Sequence, residues 1–267
     1  MHTRTLALGV VLATALSSAT ALASADAATS HHATGTARAG AYVVDASVNE
    51  TEPLLDSKVK IKAKVSPAAP GAAVTLQVRY QDQKRWKTIG HGRLNGQSKV
   101  TFKDKVSSVR ERRYRVVKPA GDNHGAAQGN TPKVTVFGWR SIIGLDNPIA
   151  VGIRPTTSMH INGTDYGYGI HADGPDPAGG RVWESNLNRD CTQFRATAGL
   201  DDSSATAGTG SVQISTDGTP RYSAAFGIGQ SQAVAFDVTD AFRMTVTMTA
   251  ANGGIPALGH AELLCSF

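Results

Sequence analysis

The sequence predicts an all-β chain built as two β-sandwiches in tandem. Three observations carry this. Apolar residues recur at every second position in short runs, as in Val59, Ile61, Ala63 and Val65, which is the period of a half-buried strand. Gly, Pro, Asn and Asp punctuate those runs at the intervals of sandwich turns. Charge breaks at Gly138-Trp139. Residues 42–137 hold 18 Lys and Arg against 8 Asp and Glu, a net of +10, whereas residues 138–267 hold 7 Arg, no Lys, and 12 Asp and Glu, a net of −5. A break this sharp predicts a domain boundary near 138–150.

The first 25 residues read as an export signal. Arg4 supplies a positive start, Thr5 to Leu22 carry no charge, and Ala23-Ser24-Ala25 offers small residues at the spacing signal peptidase reads. Cleavage is expected after Ala25, with Ala23 as the other position, giving a secreted, extracellular protein. No later run approaches the roughly 20 apolar residues of a membrane span. The export region has no Cys for lipidation, and Arg4 stands alone rather than in a twin-Arg pair. Residues 26–41 are mostly Ala, Thr, Ser, His and Gly, with too little apolar bulk for a core, and are read as a flexible linker.

Residues 42–137 alternate in short strands. Lys58, Lys60, Lys62 and Lys64 fall between the apolar positions of one strand and share its exposed face. Ser66-Pro67 and Pro70-Gly71 bound a turn, and Asn95-Gly96 marks another. The basic balance has two readings. One is a well-solvated surface; the other is an anionic partner outside the cell, such as a cell-wall polymer. No motif for specific nucleic-acid recognition is present. The order Val74-x-Leu76-Gln77, Trp86-Lys87-Thr88-Ile89 and Tyr114-Arg115-Val116 resembles the immunoglobulin-like domains of secreted bacterial proteins. That resemblance makes Trp86 the buried mid-strand aromatic, with an exposed sugar platform as the other reading, and puts Tyr114 near the start of a late strand. The family's inter-sheet disulfide has no counterpart here.

Residues 138–154, with Pro148 and several Gly, read as an inter-domain lead-in. From 155 to 267 the pattern is again all β. Strands are expected at Arg181–Leu187, Thr192–Ala198, Ser211–Ser215, Arg221–Phe226, Gln232–Asp237, Phe242–Thr249 and Ala261–Phe267. That many strands in one domain suggests a jelly roll or a similar sandwich. Cys191 and Cys265 are the only cysteines. An even pair in an exported chain predicts a disulfide, with two buried thiols as the other reading.

An ordered set of motifs then narrows the second half. Ile161-Asn162-Gly163-x-x-Tyr166 precedes Gly169-Ile170-His171-Ala172. Phe194-Arg195-Ala196-Thr197-Ala198-Gly199-Leu200-Asp201-Asp202 follows, then Val212-x-Ile214-x-x-Asp217-Gly218 and Phe236-Asp237-Val238-Thr239. This series resembles the NPCBM module, the family 51 carbohydrate-binding type. The resemblance implies a galactose-binding-like jelly roll and recognition of extracellular glycans, with galactose-type terminal sugars expected. This chain departs from the family before its last strand, where it reads Pro256-Ala257-Leu258-Gly259-His260-Ala261.

Sugar rings stack their C–H faces on aromatic rings, and planar polar groups take their hydroxyls. The candidate carbohydrate-binding residues are therefore Tyr166, Tyr168, His171 and Trp183. Trp183 is in phase with Leu187, so a core position is its other reading. Asp201 and Asp202 are candidate ligands for a structural Ca²⁺, or else carboxylates that satisfy turn N–H groups. Catalysis is not expected. A glycosidase needs two carboxyl groups across a cleft, and the second half offers only Glu184 and Glu262 beside aspartates mostly in turns. No Gly-x-Ser-x-Gly elbow and no His-Glu-x-x-His occurs. The alternative to sugar binding is a cell-wall-associated adhesion or protein-contact module.

Overall fold

Strand formation follows the alternation closely in the computed structural model, which describes residues 40–145, 148–174, 177 and 180–267. The expected export signal lies outside the described residues, as does the linker up to residue 39. Ala39–Phe267 forms one compact unit, and none of its described helices is long and apolar enough to cross a membrane.

The first seven strands are β1 (Val43–Val48), β2 (Lys58–Ser66), β3 (Ala73–Tyr80), β4 (Lys87–Arg93), β5 (Lys99–Lys105), β6 (Arg112–Lys118) and β7 (Ala127–Asn130). They make a three-stranded sheet, β1-β2-β5, and a four-stranded sheet, β4-β3-β6-β7, all antiparallel. Val59, Ile61, Ala63 and Val65 from one sheet meet Val74, Leu76, Val78, Tyr114 and Val116 from the other in a single buried cluster. Tyr114 is fully buried and its hydroxyl donates to Asp104 Oδ2 at 2.7 Å. That keeps its polar end satisfied inside the core. Trp86 departs from expectation. It precedes β4, stays half-exposed, and carries the guanidinium groups of Arg79 and Arg115 at 5.0 and 4.4 Å from its ring. A ring flanked by two cations belongs to the polar surface rather than the core. Ala41, the last residue of the expected linker, already bridges Gly125.

The second set comprises β8 (Gly138–Ser141), β9 (Ile149–Val151), β10 (Ile153–Thr156), β11 (Met159–Ile161), β12 (Thr164–Tyr166), β13 (Gly169–Ala172), β14 (Arg181–Asn186), β15 (Cys191–Leu200), β16 (Thr209–Thr216), β17 (Thr219–Gly227), β18 (Ser231–Asp237), β19 (Arg243–Ala251) and β20 (Pro256–Cys265). The sheet β10-β13-β20-β15-β18, with β8 also paired to β20, faces the sheet β17-β16-β19-β14-β9. From β13 to β20 successive strands cross between the sheets, apart from the β16–β17 hairpin, as in a jelly roll. Phe194, Ala198, Leu200, Ile214, Met244, Val246, Met248 and Leu263 fill the space between them. Phe242, expected to open a strand that runs to Thr249, falls before β19 and is exposed. Cys191 and Cys265 face each other across β15 and β20 and form the predicted disulfide.

Residues 138–154 are not a lead-in. They supply β8 to one sheet and β9 to the other, and β10 begins within them. The change of core happens between adjacent residues. Phe137 bonds Pro53 and Leu55 in the first set, with its N–H donating at 3.0 Å and its carbonyl accepting at 2.7 Å. Gly138 pairs with Cys265 in the second.

Candidate functional site

The outward face of the six-stranded sheet carries two adjacent cross-strand rows. One row runs Trp139, Leu264, Gln193, Asp237 and the next runs Ser141, Glu262, Arg195, Ala235. Strand alternation aims these residues outward because Phe194, Ala196, Val234, Leu263 and Cys265 point to the core. Trp139 is half-exposed, and the Arg195 guanidinium lies over its ring at 3.8 Å from the centroid. Arg195 also ties down Glu262, with Nε at 2.7 Å and Nη2 at 2.5 Å from Oε2. A planar fork held by a carboxylate and stacked on an indole is a rigid, preorganised donor. Beside it lies a cavity of about 380 Å³, lined by Trp139, Gln193, Arg195 and Asp237 together with Phe194, Ala235 and Phe236. Asp237 also accepts the Thr239 N–H at 2.7 Å, and that bond holds its carboxyl below the usual range. The cavity therefore offers an aromatic ring, an amide, a guanidinium and an ionised carboxylate together.

The Glu262 carboxylate links this cavity to the tyrosine cluster. Its Oε1 accepts the Tyr168 hydroxyl. Burial, helped by that bond to a carboxylate, pushes the Tyr168 phenol up to about 12. His260 sits between the tyrosines, 4.7 Å from the Tyr168 ring and 5.2 Å from the Tyr166 ring. It reaches that place through a bulge in β20, where its φ is 45° and two residues oppose one of β15. The stretch in which this chain departs from its resembled family is thus what inserts an imidazole.

Tyr166 belongs to the β11–β12 hairpin, which lies on the same outward face. Two glycines make room for it. A Cβ at Gly199 would collide with Ile161 Cγ2, and one at Gly259 would stand 2.5 Å from the Tyr166 ring. The hairpin turn Asn162-Gly163 has φ of 51° and 72°, values that Asn and Gly tolerate best. Asp202 anchors it, its Oδ1 and Oδ2 accepting the N–H groups of Asn162 and Gly163 at 2.8 Å each. Asp201 accepts the Ser203 N–H at 2.9 Å and the Ser203 hydroxyl. Both carboxylates of the expected Ca²⁺ pair thus serve turns. Among the described residues no three His, Cys, Asp or Glu side chains come together as a metal site.

The structure brings Tyr166 and Tyr168 together around His260. His171 lies outside that trio, half-buried on β13 opposite Arg154 and Ala257. Trp183 is 2% exposed in the core, with its Nε1–H donating to Ser185 Oγ at 3.0 Å, so it has no face to offer a ligand. Sequence reasoning missed Trp139, Gln193, Arg195, Asp237, His260 and Glu262 as a group. Arg195 and Asp237 stood inside quoted motifs, and Trp139 and His260 were visible as aromatics. Only the spatial order β8-β20-β15-β18 makes them neighbours.

Comparison with known proteins gives three findings. Residues 135–262 match the model of the NPCBM/NEW2 domain. A search of curated proteins finds no match. Among solved structures, the chain is similar to the CBM51 module of Clostridium perfringens GH95 in complex with methyl-galactose. Identity is 14%, the alignment covers 47% of this chain and 99% of that one, and the TM-score is 0.37.

Proposed function

Since residues 135–262 match the model of the NPCBM/NEW2 domain, we propose that this chain is a secreted, non-catalytic protein that binds a terminal sugar of extracellular glycans in the Trp139–Arg195 cavity. The observation that carries the reading is the cross-strand row Trp139, Leu264, Gln193, Asp237 with Arg195 stacked on Trp139. The Trp139 indole and the half-buried Phe236 offer apolar surface to a sugar ring, while Gln193, Arg195 and Asp237 supply planar hydrogen-bonding groups. Glu262 supports rather than reacts: both its oxygens are engaged, one by Tyr168 and one by Arg195. Galactose-type sugars are the first ligands to test, on the sequence resemblance. The first sandwich is read as immunoglobulin-like, on its seven-strand pattern.

Titrating the full chain with methyl-galactoside and a panel of other terminal sugars, followed by tryptophan emission, tests this. A saturable change that disappears in Arg195→Ala supports the reading. Wild-type protein that responds to no sugar removes it and favours a protein-contact role.

A further inference from the structure

We infer that the outer face of the three-stranded sheet β1-β2-β5 is a track for a linear anionic polysaccharide. The cross-strand register places Lys58 opposite Lys105, Lys60 opposite Lys103 and Lys64 opposite Lys99, with Lys62 opposite Thr101. All of these lysines are exposed. Lys105 reaches Asp56 at 2.9 Å, and no ion pair from the described residues reaches the other six. Like charges directly opposite on neighbouring strands destabilise a sheet, so the fold gains nothing from this pattern. Edge protection accounts for lysines on β5, which is an edge strand. It does not account for four on β2, the central strand.

The geometry selects the occupant. Lysines at alternate positions recur about every 6.6 Å along β2, and Lys58 to Lys64 spans about 20 Å. That suits a chain with regularly repeated charges better than a single small anion. Every cation of this ladder is Lys, a point charge on a flexible stem, which follows charge spacing rather than a fixed pair of oxygens. A shallow cavity of about 300 Å³ opens on the same face, lined by Ser47, Thr101 and Asp45 between Lys62, Lys64 and Lys99. Those hydroxyls and that carboxylate fit the hydroxyls of a sugar chain. The outward positions of β1, β2 and β5 carry no aromatic ring on which a nucleic-acid base would stack.

The test uses the full chain and polygalacturonate, a linear polymer with one carboxylate per sugar, measured by calorimetry at several salt concentrations. The carboxyl-reduced polymer, single-stranded DNA and duplex DNA serve as comparisons. Binding is expected to weaken with salt. The variant Lys60→Gln, Lys62→Gln, Lys64→Gln should lose at least about tenfold in affinity. A matched variant on the other sheet and its flank, Lys84→Gln, Arg85→Gln, Lys87→Gln, removes the same charge and should stay within about twofold. Equal losses in both variants would reduce the effect to net charge and overturn the track. So would absence of binding, equal binding of the reduced polymer, or tighter binding of either DNA. The carboxyl-reduced polymer ends in galactose, which the Trp139 cavity would take, so every titration is also run in Trp139→Ala: binding that this variant removes belongs to the cavity, and binding that persists in it tests the track alone.

Discussion

Arg195 lies 3.8 Å from the centre of the Trp139 ring while its other edge grips Glu262. One side chain therefore connects the first strand of the second sandwich, β8, with its last, β20. It also fixes the ring that the proposed sugar would meet. The two tryptophans of this sandwich should then separate in their effects. Trp139→Ala should abolish saturable sugar binding and leave the fold nearly unchanged. Trp183→Ala removes a core ring and should cost about 3–5 kcal/mol of stability. Denaturant melts alongside titrations distinguish the two.

The hairpin seat predicts a second pair of effects. Gly259→Ala drives a methyl group into the Tyr166 ring. Stability should fall by about 1–3 kcal/mol, with a change in near-UV dichroism as the Tyr166–His260 contact opens. Asp202→Ala frees the Asn162 and Gly163 N–H groups and should lower the melting temperature by a few degrees. Chelation tests the Ca²⁺ reading of Asp201 and Asp202: each Asp202 oxygen accepts one N–H and keeps a lone pair for a cation, so a bound Ca²⁺ predicts a lower melting temperature after chelation and an unchanged one removes that reading.

Much of this fold was legible in the sequence. The period-two runs marked β2, β14, β15 and β19 closely, because each has one face buried and one wet. The motifs around Gly199 and Asp202 were visible too, although their role as seat and anchor for a hairpin was not. The site itself was harder to read. Trp139 and Leu264 are neighbours only because β8 pairs with the end of β20, a contact that no local period encodes. Trp183 was in phase with Leu187, which favoured the core, but the same face also carries Arg181 and Ser185, so the alternation of this strand does not by itself say which face is covered. His260 is aimed by a bulge, which breaks the alternation that sequence reading relies on.

High pH should expose the Tyr168–Glu262 bond. The phenol titrates near 12 in the folded chain against an ordinary value of 10.0. A raised acid contributes stability that is complete below pH 10 and lost as pH rises through 12. Difference absorbance between the wild type and Tyr168→Phe should therefore show one tyrosine ionising near pH 12. The variant should also lose less stability over that interval.

The disulfide closes a long loop, with 74 residues separating Cys191 from Cys265. Replacing both with Ser should cost up to about 4 kcal/mol, read as a lowered denaturation midpoint. Because the bond joins β15 to β20, the strands that carry Arg195 and Glu262, reduction should also weaken sugar binding.

The most direct test of the central claim is a structure-resolved titration: ¹H–¹⁵N spectra of the full chain with increasing methyl-galactoside and other terminal sugars. Binding in the cavity predicts saturable shifts of the Trp139 indole N–H and the amides of Gln193, Arg195 and Asp237, absent in Trp139→Ala, with the Trp183 indole unmoved. Saturable shifts centred elsewhere, or none with any sugar, would contradict it.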